Sequence, residues 1–213
     1  MLRAAVVVAD DGGIGALTMR RLADELGAEA MSLYHHVANK EDVLDGVVDV
    51  IAAEMNDAVS RIRGPYRGAH WKRAVRRRIL SAREVLLGHP WAPAVFETRT
   101  TMSPEMLKYH DGLVGLMRAG GFRYAVIHHA MHALGSRALG FTQELFDPGS
   151  GAGDGQTTAR LATLADRLPN LVGMLAEISH DRGSTLGWCD DQTEFEFGLD
   201  LILDGLDRLR TPA

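Results

Sequence analysis

The sequence has little of several features that would place a protein in a special class. It contains one cysteine, Cys189, among 213 residues, which excludes an internal disulfide and any metal or redox motif built from several cysteines. Aromatic residues make up only 6% of the chain. No apolar run approaches the ~18 residues that span a membrane, and the first residues lack the apolar core of a secretory signal. We therefore expect a cytoplasmic protein with no membrane segment.

Hydrophobic residues recur at helical spacing along nearly the whole chain, and no sustained alternation of apolar and polar residues indicates a strand. The composition, with 46% hydrophobic and 24% charged residues, suits one or two domains with a buried core. The sequence predicts an all-α fold of about eight to ten helices.

The first third of the chain contains a pattern of short helices joined by a tight turn. Thr18 is placed to cap a helix that ends at Gly27, and a second short helix is predicted over 31–37. Asn39, with Asp42 three positions later, predicts the start of a long third helix. Two short helices around a glycine turn are typical of a helix-turn-helix DNA-binding motif. A small helical hairpin that only packs against its neighbours fits the same spacing.

Charge argues against the DNA-binding reading of this region. Residues 1–57 contain four basic and eleven acidic side chains, a net charge of −7. Because affinity for DNA depends largely on neutralised phosphates, such a module can bind only if its few cations share one face. Residues 61–83 are by contrast basic, with nine Lys or Arg residues and no acid. This basic run is read first as a solvated helix face, and second as a phosphate-contacting or ligand-gating segment.

The segment LTMRRLADELGAEAMSLYHHVANKEDVLDGVVDVIAAEM (17–55) strongly resembles the DNA-binding region of the tetracycline-repressor (TetR) family. The match rests on the Leu-Thr-x-Arg-x-Leu-Ala start, the Leu-Gly turn, the Leu33-Tyr34-x-His36-Val37 segment and the Asn39-Lys40 pair. Residues 119–144 and 197–209 are similar to the eighth and last helices of that family. The resemblance implies a three-helix helix-turn-helix DNA-binding domain over 1–45 and a ligand-binding and dimerisation domain over 46–213.

The resemblance implies that one set of side chains faces double-stranded operator DNA. Side chains in the first half of a recognition helix read base edges in the major groove, while neighbouring cations and hydroxyls hold phosphates. The residues expected to contact DNA are Thr18, Arg20, Ala30, Met31, Ser32, Tyr34, His35, His36 and Lys40. For the two histidines taken singly, the alternative is an exposed polar face.

Two helices carry apolar stripes suited to pairing with a second copy. One stripe runs from Tyr124 to Leu145 and the other from Phe195 to Leu209, and Phe197, Leu201 and Leu203 give the last helix a second apolar side. The alternative is that both stripes face their own subunit's core. The resemblance implies a homodimer in which helices near 124–145 and 193–209 form a four-helix bundle. A dimer also fits a palindromic operator, whose half-sites lie about 34–36 Å apart.

The effector is expected to be a small molecule held inside the larger domain, with no cofactor and no metal. In an alignment to tetracycline repressors, Asn56 replaces the drug-anchoring histidine, Val95 or Phe96 replaces a metal-ligating histidine, and a metal-site glutamate is retained as Glu144. The lost imidazoles argue against magnesium-tetracycline and favour a largely apolar molecule with one or two polar groups. The candidate lining residues, each of which could instead be plain core, are Asn56, Trp91, Phe96, Leu113, Met117, His128, Met131 and Glu144.

The sequence thus predicts a ligand-released repressor rather than an enzyme. Three alternatives stay open: a ligand-binding helical protein without operator binding, a histidine-metal enzyme using His128 and His132 on one helix face, and an activator with the same fold. The chain contains no His-Glu-x-x-His motif, nucleophile elbow, phosphate loop or dinucleotide-binding fingerprint that would favour catalysis.

Overall fold

The computed structural model describes residues 1–62, 64, 67–140, 167–170, 173 and 191–210, with backbone alone at 136–140 and 191. Within these residues the chain is all-helical with no strand, which confirms the predicted fold class. The α-helices whose bounds the described residues give are α1 Leu2–Gly12, α2 Met19–Leu26, α3 Ala30–Leu33, α4 Lys40–Ser60, α5 Trp71–Gly88, α6 Ala92–Thr98, α7 Pro104–Ala119, α8 Tyr124–Gly140 and α9 Asp191–Asp207. Short 3₁₀ turns lie at Ile14–Ala16 and Gly68–His70.

The chain divides into two compact units, one formed by residues 1–140 and 202–213 and the other by residues 141–201. In the first unit, α4 is the central helix and contacts α1, α5, α6 and α7. Its inward face carries Val43, Val47, Ile51 and Met55, all buried, as the apolar spacing predicts. None of the helices within the described ranges combines the length and the apolar character that a bilayer crossing requires.

A predicted cap at Asn39 and an unpredicted cap at Ser103 begin two of the helices. The Asn39 side chain accepts a hydrogen bond from the Asp42 backbone N–H at 3.0 Å, and Ser103 caps α7 by accepting from the Met106 backbone N–H at 3.2 Å. Each cap satisfies a backbone donor that the first helical turn would otherwise leave unpaired. Capping therefore fixes where α4 and α7 begin.

The second short helix is shorter than predicted. The α-helix α3 ends at Leu33, and the chain continues to Val37 as a tight turn in which the His36 backbone N–H donates to the Leu33 carbonyl at 2.9 Å. Bonds spanning three residues tighten the backbone and shorten the regular helix. The predicted span of 31–37 is therefore wrong in its bounds, although Leu33 is buried as expected.

Candidate functional site: an exposed helix-turn-helix and an internal cavity

Three local features fix the start of α2, its end and the turn that leads to α3. Thr18 caps α2 by accepting from the Arg21 backbone N–H at 3.1 Å. Gly27 ends the helix at φ 62° and ψ 34°, a left-handed conformation that favours glycine, and the Ala28 N–H closes the turn on the Ala23 carbonyl at 2.9 Å. Leu22 and Leu33 are both buried, and α2 and α3 contact each other.

The opposite side of α3 and its following turn is open to solvent. Met31 is 72% exposed and Tyr34 is 44% exposed, while Ser32, His35 and His36 are also exposed. Ala30 is half-buried and packs against the core. The structure thus brings the predicted α3 residues together on one accessible surface.

The hydroxyls of Thr18 and Ser32 each form a hydrogen bond within the protein. The Ser32 Oγ donates to the Glu29 carbonyl at 2.7 Å, so the oxygen is left to accept. The Thr18 Oγ1 accepts from the Arg21 backbone, so its proton is left to donate. A phosphate oxygen can only accept, and therefore Thr18 suits a phosphate better than Ser32 does.

Basic residues flank this surface at two helix starts. Arg20 and Arg21 are exposed in the first turn of α2, and Lys40 is the first residue of α4. A helix N-terminus adds positive potential to a neighbouring cation, which favours a phosphate there. Three of the four basic residues of 1–57 therefore lie in the first turn of α2 or α4, whereas Arg3 lies on α1.

Several acidic side chains at the start of α4 are engaged by other groups. Arg99, which follows α6, pairs with Glu41 at 2.8 Å and with Asp45 at 3.1 Å. Burial lowers the pKa of the Arg99 guanidinium, but the hydrogen bonds and charges of Glu41 and Asp45 outweigh this and raise it overall. Asp42 accepts from the Ala38 backbone N–H at 2.8 Å. The acidic balance of the sequence is thus partly neutralised where α4 begins.

A cavity of about 50 Å³ lies in the same unit. Its walls come from α4, α5, α7 and α8 and are chiefly apolar. The described lining residues are Met55, Ile79, Ala82, Arg83, Leu86, Met106, Tyr109, His110, Leu113, Met131, Leu134 and Gly135.

Two of the eight predicted ligand residues, Leu113 and Met131, line this cavity. Glu144 is outside the described residues. The predicted ligand residues that do not line the cavity are Asn56, Trp91, Phe96, Met117 and His128. Met117 is fully buried, Phe96 packs against the core around α4, and His128 is exposed on α8.

Asn56 and Trp91 do not line the cavity because each makes polar contacts elsewhere. The Asn56 Nδ2 donates to the carbonyl and to the carboxylate of Glu105, at 2.8 and 2.7 Å, and so joins α4 to α7. The Trp91 indole N–H donates to Asp10 at 2.7 Å. Both side chains are buried, and both stabilise the helix packing rather than face the empty space.

Three polar residues near the cavity were not predicted. Burial raises the pKa of the Tyr109 phenol to about 12. His110 has its pKa lowered, first by burial and then by the nearby charge of Arg78. Arg83 belongs to the basic run that was expected to be solvated, but it is only 9% exposed. It follows Ile79 by four residues and precedes Leu86 by three. That spacing on one helix face is the signal that could have placed it inside.

The histidines of α8 form an exposed cluster rather than an enclosed site. The rings of His128 and His132 are 4.8 Å apart between centroids, and those of His128 and His129 are 5.5 Å apart. In the part of the chain that the structure describes, no three His, Cys, Asp or Glu side chains are grouped so that they could hold a metal ion.

The predicted dimer helices carry apolar side chains that this subunit does not bury. Phe197 and Leu201 on α9 are 62% and 57% exposed, and Tyr124 at the start of α8 is 66% exposed. Phe195, Leu199, Leu203 and Leu206 are buried. Leu203 therefore belongs with the buried face of α9, whereas Phe197 and Leu201 form the second apolar side that the sequence predicts.

In the residues that the structure describes, a helix-turn-helix with an exposed second helix precedes further helices, an arrangement typical of helix-turn-helix transcriptional regulators. Residues 1–47 match the family model of bacterial regulatory proteins of the tetR family, and residues 64–210 match the tetracyclin repressor-like C-terminal domain. The chain belongs to the TetR family of transcriptional regulators.

Individual relatives agree with this assignment. The chain is 35% identical over 140 residues to an HTH-type transcriptional regulator of Saccharopolyspora erythraea, a match that covers 66% of this chain and 57% of that protein. It is 28% identical to the HTH-type transcriptional repressor DrrR1 of Streptomyces coeruleorubidus, covering 98% of this chain and 76% of DrrR1. Among solved structures it resembles the TetR family protein ActR of Streptomyces coelicolor in complex with actinorhodin, at 27% identity, a TM-score of 0.75, and 99% and 96% coverage of the two chains.

Proposed function

We propose that this regulator is a homodimeric repressor that binds a palindromic operator and is released by a small-molecule effector. The observation that carries the proposal is that α4 connects the two candidate sites without a break. Lys40 is its first residue, beside the exposed face of α3, and Met55 lines the cavity. At 1.5 Å per residue the two positions are about 22 Å apart along one rigid element.

The proposed DNA-binding domain is residues 1–45, and it contacts both DNA backbone and bases. Thr18 and Lys40 would hold phosphates, and Arg20 would hold phosphate and reach a base. Met31, Ser32, Tyr34, His35 and His36 would enter the major groove, with Ala30 as an apolar contact. The exposure of the α3 side chains and the position of Lys40 at a helix start support these roles. A regulator of this kind would act in the cytoplasm, where its DNA is.

The proposed dimer interface uses the exposed apolar side chains of α8 and α9. In a two-fold dimer both subunits use the same residues at the interface. Tyr124 of α8, and Phe197 and Leu201 of α9, would therefore be covered by the second copy. The two recognition helices would then meet half-sites about 34–36 Å apart.

Effector release would work through the walls of the cavity. A space of about 50 Å³ is smaller than the ~300–1,000 Å³ of most small-molecule sites, so an effector would move its walls apart. Met55 belongs to α4, which begins at Lys40. A displaced cavity wall would therefore tilt the helix whose first residue lies in the proposed DNA-binding domain. The ligand can shift this equilibrium only by binding the released form more tightly than the operator-bound form.

The direct test is fluorescence anisotropy with the intergenic DNA upstream of the protein's own gene, measured over a series of salt concentrations. We expect tight binding that a scrambled duplex does not match, and a logarithmic affinity that falls linearly with the logarithm of salt concentration. Equal binding to both duplexes, or none, would favour the alternative of a ligand-binding helical protein without operator binding. A promoter fusion would then separate repression from activation, and the identity of neighbouring genes would indicate the effector class.

A further inference from the structure

The wall of the cavity includes one cationic side chain among its described residues. Arg83 and Asn56 are the two buried polar or charged side chains in the described part of the first unit, and Arg83 lines the cavity. None of the twelve described lining residues is acidic. Arg83 already interacts within the protein, but a guanidinium has five N–H donors and can serve more than one acceptor.

A second guanidinium, that of Arg78, lies close to this wall. The Arg78 Cζ lies 4.6 Å from the centre of the Tyr109 ring, and its Nη2 donates to the Tyr109 carbonyl at 2.7 Å. Its Nε is buried and has no hydrogen-bond partner. Arg78 thus lies behind Tyr109, a lining residue, so its charge is close to the cavity but not exposed in it.

His110, a further lining residue that can titrate, is affected by the charge of Arg78. Burial and the Arg78 charge both lower its pKa, so the neutral ring is favoured near pH 7. A neutral imidazole has one donor and one acceptor and can complete the hydrogen bonding of a ligand group that Arg83 holds.

The remaining wall is suited to an apolar body. Aliphatic side chains surround the space, and Met55, Met106 and Met131 come from three different helices. Methionine is unbranched and polarisable, so it adapts to a flat or aromatic ligand better than branched side chains do.

We propose that the effector is an amphipathic organic anion, whose ring body lies among the methionines and leucines of the wall and whose carboxylate, phenolate or sulfonate group binds Arg83 and His110. This inference rests on the proposed effector-binding role of the cavity. It adds the chemical class of the ligand and assigns the specificity to Arg83. Charge-assisted hydrogen bonds from a partly buried guanidinium are stronger than neutral ones, which gives the preference for an anion.

The test uses two fluorescent probes that differ by one charged group, 1-anilinonaphthalene-8-sulfonate and the uncharged N-phenyl-1-naphthylamine. Both are titrated into the full chain and into four variants. Arg83→Met removes the charge, Arg83→Lys keeps it, and Arg73→Met changes an exposed arginine of the same helix. Ala82→Phe fills the cavity and identifies the fluorescence that comes from it. Thermal unfolding by circular dichroism confirms that each variant is folded.

We expect the sulfonate to bind at least about ten-fold more tightly than the uncharged probe. Arg83→Met should remove this preference, Arg83→Lys should keep part of it, and Arg73→Met should keep all of it. Equal affinity for the two probes, with Ala82→Phe abolishing both, would overturn the anion inference while leaving the cavity as the effector site. Probe binding that Ala82→Phe does not change would contradict the cavity premise itself, whereas operator binding is tested independently by anisotropy.

Discussion

The indole N–H of Trp91 donates a hydrogen bond of 2.7 Å to the carboxylate of Asp10, and so ties α1 to the start of α6. The same carboxylate is 2.8 Å from the His89 Nδ1, and the His89 Nε2 is 3.2 Å from Glu54 on α4. Elements of the proposed DNA-binding domain and of the regulatory body are therefore joined by directed polar contacts as well as by apolar packing.

We predict that Asp10→Ala destabilises the protein by about 1–3 kcal/mol, because the buried Trp91 donor is left without its acceptor. Asp10→Asn keeps an acceptor oxygen and should lose less. Urea unfolding followed by tryptophan fluorescence measures both. Asp11→Ala, a change at the neighbouring exposed carboxylate, is the control and should have little effect. If Asp10→Ala and Asp11→Ala unfold at the same urea concentration, the contact contributes nothing to stability.

Arg20→Ala should weaken operator binding by about 1–3 kcal/mol if Arg20 reaches a base, and should relax the sequence preference at one position of each half-site. If Arg20 contacts phosphate only, all duplexes weaken alike and the salt slope falls by about one. Anisotropy over a salt series distinguishes the two. Arg61→Ala is the matched control, since Arg61 is an exposed arginine at the far end of α4. Unchanged affinity and slope for Arg20→Ala would remove Arg20 from the interface.

Arg99→Gln should reduce operator affinity, most strongly at low salt, because Glu41 and Asp45 would then present uncompensated negative charge beside Lys40. The loss of stability should stay below about 1 kcal/mol for each pair, since both carboxylates are exposed. Arg99→Lys keeps the charge and serves as the control. Adding Glu41→Gln and Asp45→Asn to Arg99→Gln should restore binding. No recovery in the triple variant would rule out charge compensation as the role of Arg99.

Phe197→Glu and Leu201→Glu should each convert the dimer to a monomer at micromolar concentration, because a second copy would have to bury the new charge. Sedimentation velocity measures the change, and operator affinity should fall with it. Leu107→Glu alters a leucine of α7 that is similarly exposed, at 53%, and should leave the dimer intact. A wild-type protein that sediments as a monomer at this concentration would disprove the homodimer.

The Tyr109 phenol should make the protein less stable as the pH rises from about 10 towards 12. Burial raises its folded pKa to about 12 from the 10.0 of a free phenol, so over this range the unfolded chain releases the proton first and unfolding is favoured. Urea midpoints between pH 9 and 11 should fall more steeply for the wild type than for Tyr109→Phe. If the urea midpoints of the two proteins fall equally with pH, the pKa of Tyr109 is not raised in the folded protein.

Local chemistry in the sequence was enough to predict two short helices joined by a glycine turn and followed by a long helix. Caps at Thr18 and Asn39, the glycine at position 27 and the spacing of α4 act between residues at most four positions apart, and each is found as predicted. The same local reasoning missed the end of α3, because a run of three-residue hydrogen bonds leaves no distinct sequence mark.

Residues that depend on long-range packing were not predictable in this way. Trp91 and Asn56 were expected at the ligand, but Trp91 bonds to Asp10, which is 81 positions away, and Asn56 bonds to Glu105, which is 49 positions away. Arg83 was expected in solvent and lies in the cavity wall. Helix periodicity predicts which side chains of a helix face inward, but it does not predict which other helix packs against them.

Periodicity, capping residues and turn glycines by themselves determined that this chain is helical and where its first helices begin. Only the tertiary structure decided which inward side chains enclose empty space and which fill it, because that depends on how helices far apart in the chain pack together. The position of Arg83 in the cavity wall was settled at the same level, since it depends on how α5 packs against the other helices.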